Sequence, residues 1–378
     1  MKPSWKIVRI AGIDIHLHFT FLILLVWVAV SYYLRQGSWK DALGGLVLTL
    51  SLFTIVVLHE LGHALTARHF GIQTRDITLL PIGGVARLER LPEKPQQELL
   101  VALAGPAVNV VLAAIFLVAF VVSAELSAAW RFQLLEGNVL TTLLWVNVSL
   151  AVFNLLPAFP MDGGRVLRSL LAMQMNYVRA TDIAARIGRG VAVVFGLIGV
   201  FTNPFLVFIA LFVWVGAVKE AEFVRMKSAL AGVSVSQIMM KTFQTLAPAD
   251  TLAGAARRIL DSCQQDFPVV EEGRVVGVLS HSNLLESLAE RGPFAKVADR
   301  MQSDFCASDP TELIEAVLAR MADRDTRLSP VIQDGRLAGI LTTQNVGDYL
   351  MIQTALSRTS HSRHGQQPRA MSPHRIWA

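Results

Sequence analysis

The run ALGGLVLTLSLFTIVVLHELGH, residues 42–63, is long and apolar enough to cross a membrane, yet it ends in His59, Glu60 and His63. Such side chains are costly inside hydrocarbon, so they mark a functional site by default. On a helix, His59 and His63 lie one turn apart on a shared face, which suits two zinc ligands. Glu60 projects about 100° away, where a carboxylate can act as general base on a metal-bound water. The alternative is a hydrogen-bonded histidine pair in a core.

The composition is typical of a membrane protein that has room for a soluble domain. Of the 378 residues, 53% are hydrophobic and 17% are charged, whereas soluble domains carry about 25% charged residues. The net charge of +5 is spread over loops and tail, which favours membrane topology and argues against nucleic-acid binding. Cys263 and Cys306 lack a metal-ligand spacing, so neither a disulfide nor a thiolate zinc site is predicted.

Five apolar stretches approach or exceed the length of about 20 residues that a membrane-spanning helix needs. The last contains Asn203-Pro204, which fits either one kinked helix or a hairpin of two helices. Basic residues gather on one side, and the positive-inside rule then places the N-terminus and the chain after Lys219 in the cytosol. Six spans fit these charges better than five, because the other side receives only Arg35, Lys40 and Arg131. The stretches cover residues 17–35, 43–67, 98–123, 139–160 and 184–219.

Asp162 is the candidate third ligand of a zinc site. It lies in NLLPAFPMDGG, residues 154–164, at the end of the fourth span. The second and fourth spans both enter from the outer side, so Asp162 and the histidines reach a similar depth near the cytosolic leaflet. Prolines and glycines break the helix here, and broken backbone at this depth must be buried in protein or line a wet cavity. The alternative is that Asp162 is a turn residue at the interface.

Asn154, at the start of the same segment, also has two interpretations. Its amide could donate a hydrogen bond to a developing oxyanion, or it could bond to backbone groups that Pro157 frees. Between the second and third spans, DITLLPIGGVARLE, residues 76–89, predicts two short strands around Gly83-Gly84. The small residues of GPAVN, residues 105–109, would allow close helix packing, with Asn109 bonding across helices.

Taken together, residues 1 to about 225 resemble the site-2 proteases, the family of intramembrane zinc metalloproteases. The matching motifs are HELGH, PIGG, GPAVN and the segment 154–164, in the family's order. The resemblance implies that His59, His63 and Asp162 bind one zinc ion and that Glu60 activates water. It also implies a substrate, a transmembrane segment of another protein such as an anti-sigma factor or a remnant signal peptide. Met161, where the family usually has a short aliphatic residue, is a mild departure.

The chain after Lys227 contains two similar units. FPVVEEGRVVGVLS, residues 267–280, and SPVIQDGRLAGILT, residues 329–342, each predict two strands joined by a tight turn, with a helix before each. The repeat resembles a tandem pair of CBS domains over residues 232–290 and 295–352. Such pairs often bind adenine nucleotides, but Asn283 and Asn345 stand where the family has a ribose-binding Asp. The alternative is a regulatory or dimerisation unit without ligand, which would allow a homodimer through the CBS domains.

The sequence therefore predicts a polytopic α-helical membrane protein of about six transmembrane helices with a short membrane-associated β-hairpin, followed by a soluble α/β CBS pair. The predicted domains are 1–227, 228–355 and a disordered polar tail, 356–378. The expected location is the inner membrane, with the N-terminus and CBS domains cytosolic. A CBS-gated transporter or channel is the competing class, and an inactive homologue serving as a membrane chaperone is a third. Zinc stoichiometry would separate a protease from a transporter.

Overall fold

The computed structural model describes residues 4–81, 83–89, 92, 94–122, 139–262 and 264–364. The chain divides into two compact units, Met1–Val224 and Arg225–Ala378. Arg131, which the sequence places on the outer side, lies outside the described residues. So do residues 365–378 of the tail that is predicted to be disordered.

Six apolar helices build the first unit in the part of the chain that the structure describes, as the sequence predicts. Four of them are long enough to cross a membrane by length and composition, and the first and fourth are shorter. In chain order, with a short amphipathic helix inserted as α5, they are α1 (Phe19–Gln36), α2 (Trp39–His69), α3 (Pro95–Val122), α4 (Val139–Asn154), α5 (Asp162–Ala172), α6 (Tyr177–Thr202) and α7 (Pro204–Leu230).

The fourth predicted span is too long. Helix α4 stops at Asn154 instead of residue 160, and residues 155–161 form a loop before α5. Pro157 and Pro160 cause the break, because neither has an N–H to donate to a helical carbonyl. The loop brings the chain round so that Asp162 is the first residue of a new helix.

Asn203-Pro204 is a turn and not a kink. Asn203 is extended, with φ −150° and ψ 113°, and its side-chain oxygen accepts from the N–H of Phe205. A residue that precedes proline disfavours the helical region, and proline itself fits the first position of a new helix. Ala184 and Ala185 of α6 then share one buried cluster with Phe159 and with Ala217 and Ala221 of α7. The charge argument for six spans therefore agrees with the number of helices.

A four-stranded sheet accompanies the helices, in the order β1 (Ser4–Ile10), β2 (Ile13–His18), β3 (Thr74–Leu80), β4 (Gly83–Leu88). The hairpin around Gly83-Gly84 is confirmed as β3–β4, and Arg87 of β4 is held to Asp76 of β3 by two hydrogen bonds of 2.8 and 2.6 Å. The prediction missed β1 and β2. The alternation in SWKIVRI and IDIHLH carries the strand signal, but these residues read as a polar leader before the first span.

Strand β1 forms one edge of this sheet and exposes large apolar side chains. Among the described residues it pairs only with β2, antiparallel, across a turn at Ala11 and Gly12, both of which have positive φ. Its side chains Trp5, Ile7 and Val8 are all exposed, with 57%, 57% and 44% of their surface accessible. Strand β2 is parallel to β3, so α1 and α2 together form the crossover between them.

The second unit contains the predicted repeat, and each copy folds the same way. Strands β5 (Phe267–Glu271) and β6 (Arg274–Leu279) pair antiparallel, as do β7 (Leu328–Gln333) and β8 (Arg336–Thr342), and each pair has a register irregularity at the equivalent position. The helices are α8 (Val235–Ile238), α9 (Leu252–Asp261), α10 (His281–Arg291), α11 (Ile314–Asp323) and α12 (Thr343–His364). Helix α12 continues past residue 356, where the sequence predicts disorder, because a helix anchored by the buried Val346 extends beyond its packed part.

Candidate metal centre

Three side chains from two helices converge at one point inside the first unit. Helix α2 places His59 and His63 on one face, and both are buried. Their Nε2 atoms are 3.1 Å apart. Oδ2 of Asp162, from the first turn of α5, lies 3.2 Å from Nε2 of His59 and 3.1 Å from Nε2 of His63. The structure therefore brings together the three residues that the sequence predicts as ligands.

Helix α3 orients both histidine rings from behind. Nδ1 of His63 lies 2.7 Å from the backbone carbonyl oxygen of Val101, to which its N–H donates. Nδ1 of His59 lies 3.1 Å from the side-chain amide nitrogen of Asn109. The Val101 carbonyl fixes the orientation of the His63 ring and holds the proton on Nδ1, so that Nε2 stays free as a ligand.

Asn109 provides a test of whether the residues fit a metal. A histidine that binds through Nε2 carries a proton on Nδ1, and this proton needs an acceptor. Oδ1 of Asn109 is buried and has no hydrogen-bond partner among the described residues. A half-turn of the amide brings this oxygen to Nδ1 of His59. The spacing fits too, since tetrahedral ligands at about 2.0–2.1 Å from zinc stand roughly 3.3 Å apart.

Gly105 of α3 lets the third helix approach the histidines this closely. A Cβ at this position would lie 2.2 Å from Nε2 of His63 and 2.7 Å from Nε2 of His59. Both distances are far inside van der Waals contact. The GPAVN motif, predicted to permit close helix packing, therefore meets the ligand atoms themselves.

A cavity of about 420 Å³ opens from the three side chains. Glu60 lines it beside the histidines, and so does Asn154 at the end of α4. Strand β4 forms another wall, and a Cβ on Gly84 would lie only 2.8 Å from Cγ of Glu60. Arg165 of α5 also lines the cavity and brings a positive charge to it. The four predicted site residues of this region and Asn154 thus share one cavity.

Sequence reasoning missed a buried charge network beside this centre. Arg168 of α5, one of the basic residues that follow the fourth predicted span, has no exposed surface. Its guanidinium donates to Glu98 of α3 and to Glu220 of α7. The ring of Tyr177 lies 5.0 Å from it. An ionisable residue inside an apolar helix, as Glu98 is, could have given the signal.

Among the described residues of the second unit, two clefts are lined by residues of both repeats. The larger, about 660 Å³, is lined by Thr342, Asn345 and Asp348, and the smaller, about 170 Å³, by Ser280 and Asn283. Oδ1 of Asn345 already accepts from the hydroxyl of Thr342 at 2.6 Å and from its N–H at 3.2 Å. Oδ1 is the atom of this amide that could accept a hydrogen bond from a ribose hydroxyl in place of a carboxylate. It is already bonded to Thr342 within the same turn.

Known protein families match both units of the chain. The sequence model of peptidase family M50 matches residues 47–136 and 127–196, and that of the CBS domain matches residues 235–290 and 297–351. Zinc metalloprotease MJ0392 of Methanocaldococcus jannaschii is 32% identical over 347 residues, which are 92% of this chain and 96% of that protein. Rip3 of Mycobacterium tuberculosis is 29% identical over 374 residues, 92% of each chain.

A solved structure, the site-2 protease from Methanocaldococcus jannaschii, aligns with 38% sequence identity over 58% of this chain and 95% of its own, with a TM-score of 0.42. The match to MJ0392 extends along nearly the whole of both chains and includes the protease part and the repeat alike. The chain therefore belongs to peptidase family M50, the site-2 proteases, and is an intramembrane zinc metalloprotease that carries two CBS domains.

Proposed function

We propose that His59, His63 and Asp162 hold the catalytic zinc ion and that Glu60 is the general base. The observation that carries this proposal is the meeting of the three ligand atoms within 3.2 Å of one another, on a cavity that Glu60 also lines. Two neutral imidazoles and one carboxylate leave a fourth position for water or substrate, the arrangement of catalytic zinc sites.

Glu60 and Asn154 then have defined roles in the reaction. When bound, the zinc ion supplies polarisation of the scissile carbonyl and activation of a water molecule. Glu60 takes the proton from the attacking water and returns it to the leaving amine nitrogen. Asn154, which faces the same cavity, donates its side-chain N–H to the carbonyl oxygen as negative charge develops there. The surrounding apolar helices keep bulk water out and so strengthen these interactions.

The substrate must reach this site as extended chain. Peptide bonds inside a helix are shielded, and a segment that unwinds in the membrane needs new partners for its N–H and C=O groups. Strand β4 ends the order of the sheet and lines the cavity beside Glu60. No other described strand pairs with its outer edge, which suits a substrate segment added as a further strand. The substrate class is a transmembrane segment of another protein, such as an anti-sigma factor or a remnant signal peptide.

The orientation follows from charge. Basic residues lie before α1, between α2 and α3, and after α7, so the N-terminus and the CBS pair face the cytosol of a cell whose inner membrane holds the protein. Protease protection of the segment after Lys227 in intact cells measures this directly.

Metal removal tests the proposed function. Purified protein in lipid vesicles should cleave a single-pass reporter, lose the activity to a zinc chelator and regain it with about one equivalent of zinc per chain. Asp162→Ala should not regain it, because two ligands remain where three are needed. Asp41→Ala, at the far end of α2 from the histidines, is the matched control and should behave as wild type. Metal-independent cleavage, or full zinc retention by Asp162→Ala, would contradict the proposal, and ion flux without cleavage would indicate a transporter.

The CBS pair regulates the protease, with weak nucleotide binding at most. An Asp to Asn replacement removes a charge-assisted hydrogen bond of about 1.5–3 kcal/mol, which is roughly 10- to 150-fold in affinity. Asn345→Asp should therefore tighten ATP or AMP binding to the full-length protein, measured by calorimetry. Asn283→Asp, in the smaller cleft, is the paired variant and should gain less. Tight binding by the wild type would overturn this expectation. A homodimer through the CBS domains is the other role that such a pair can serve.

A further inference from the structure

Arg168 lies within the protein rather than at its surface, and the groups around it come from four elements. Its Nε donates to Oε1 of Glu98 on α3 at 2.9 Å, and Nη2 donates to the same oxygen. Nη1 donates to Glu220 on α7. The aromatic rings of Phe159, in the loop before α5, and Tyr177, at the start of α6, lie 5.1 and 5.0 Å from the guanidinium carbon. The hydroxyl of Tyr177 completes the group with a 3.4 Å hydrogen bond to Glu98.

The same face of α3 that holds Arg168 also orients the histidines. Glu98, Val101 and Asn109 are spaced by three and eight residues, so they follow one side of a helix. Val101 contacts the ring of His63 and Asn109 contacts the ring of His59. Glu98 reaches across to α5, the helix that begins with Asp162. Helix α3 therefore fixes the positions of all three proposed ligands. It contacts the two histidines directly and holds the helix of Asp162 through Arg168.

Helix α5 needs such a fixed point. It has 11 residues, and Asp162 is followed by two glycines, which weaken a helix by about 1 kcal/mol each relative to alanine. A helix of this length is marginal without tertiary contacts. A buried ion pair is no more stabilising than well-packed apolar side chains of similar volume, so overall stability is a weak reason for it. What the Arg168 network adds is one defined position for α5 against α3 and α7.

We propose that Arg168 is a positioning residue, which places Asp162 against His59 and His63 by anchoring α5 to Glu98 and Glu220. The inference rests on the proposed role of Asp162 as a ligand. The two arms differ in exposure. The side chain of Glu98 is 4% exposed and that of Glu220 is 24% exposed. Both arms set the position of α5, because the Glu98 arm fixes it against α3 and the Glu220 arm fixes it against α7.

Arg168→Lys tests the inference because it keeps the charge and loses the planar set of donors that reaches both carboxylates. We expect zinc to leave to a chelator about 10- to 100-fold faster, the scale of affinity lost when groups behind metal ligands are changed. The visible spectrum of the cobalt-substituted protein should change, since its bands report the ligand geometry. The kcat should fall by about 100-fold, the cost of a displacement of about 1 Å, with little change in KM.

Arg189→Lys is the matched control. Arg189 also packs on an aromatic ring between helices, 5.8 Å from the centre of Trp214. The contact joins α6 and α7, and among the described residues Arg189 has no hydrogen bond or ion pair to α3 or α5. Its zinc release, cobalt spectrum and kcat should match those of the wild type. A folded Arg168→Lys protein that did the same would overturn the inference.

Glu220→Gln keeps the test decisive if Arg168→Lys does not fold. It removes only the more exposed arm, and we expect zinc release to be faster than in the wild type but slower than in Arg168→Lys. Unchanged zinc release and an unchanged cobalt spectrum in Glu220→Gln would then refute the role of that arm and with it the inference. Failure of the proposed function is distinguishable, because Asp162→Ala would in that case retain its zinc. Loss of zinc by Asp162→Ala with unaltered Arg168 and Glu220 variants would reject this inference alone.

Discussion

Glu60→Gln should retain zinc and lose at least about 100-fold in cleavage rate, the lower scale of general acid–base catalysis. The amide has the shape of the carboxylate but cannot take a proton from water. None of the three proposed ligand atoms belongs to Glu60, so one zinc per chain should still be measured. Cleavage of a membrane-embedded reporter in vesicles, together with metal analysis of the same sample, gives both quantities.

The control for this variant is Glu222→Gln. Glu222 lies on α7 and is exposed to the surroundings, so its loss should leave cleavage and zinc content unchanged. The substitution then accounts for any general effect of removing one carboxylate. Near-normal turnover by Glu60→Gln would show that another group accepts the proton.

Gly105→Ala should abolish cleavage without weakening the helix that carries it. The added Cβ would lie 2.2 Å from Nε2 of His63, so either the ring or α3 must move. A displacement of about 1 Å at reacting groups costs roughly 100-fold in rate, and we expect a larger loss here because both histidines are displaced. Alanine is at the same time favoured over glycine inside a helix by about 1 kcal/mol.

Zinc content and thermal unfolding separate these two effects. Gly105→Ala should purify as a folded protein that holds much less than one zinc per chain. Gly190→Ala on α6, where an added Cβ meets nothing within 4 Å, should keep zinc and activity. If Gly105→Ala bound zinc as the wild type does, helix α3 would have more room beside the histidines than the structure gives it.

The residues that the chemistry requires could be found from the sequence, and so could Gly105 and Asn109 behind them, but the contacts of Val101 and Arg168 could not. His59 and His63 stand out because charge and imidazole are costly in an apolar helix, and Asp162 because its neighbours break a helix at the same depth. The partner of His63, in contrast, is the backbone carbonyl of Val101, which any residue at that position would offer. The side chain at this position therefore gives no sign of the contact.

The burial of Arg168 could not be predicted from the sequence, for the opposite reason. Its side chain is conspicuous, but a basic residue after a predicted span fits the rule for cytosolic loops, and that explanation was sufficient in sequence. Only the packing of α3, α5 and α7 shows that it is buried with Glu98 and Glu220. The CBS repeat was predictable in detail because two copies carry the same pattern, and each copy supports the other.

Strand β1 has a consequence for where substrates are cut. An edge strand with free backbone groups is not tolerated in hydrocarbon, while tryptophan is enriched at the level of the lipid headgroups. From the exposure of Trp5 and its neighbours, we expect β1 to lie at the membrane surface. Because β1 to β4 form one continuous sheet, that surface fixes the depth of β4 and of the cavity beside it. The protein would then select the bond that it cuts by the distance of that bond from the headgroups. Shifting a substrate segment by one helical turn, about 5.4 Å, should therefore move the cut to a different residue at the same depth.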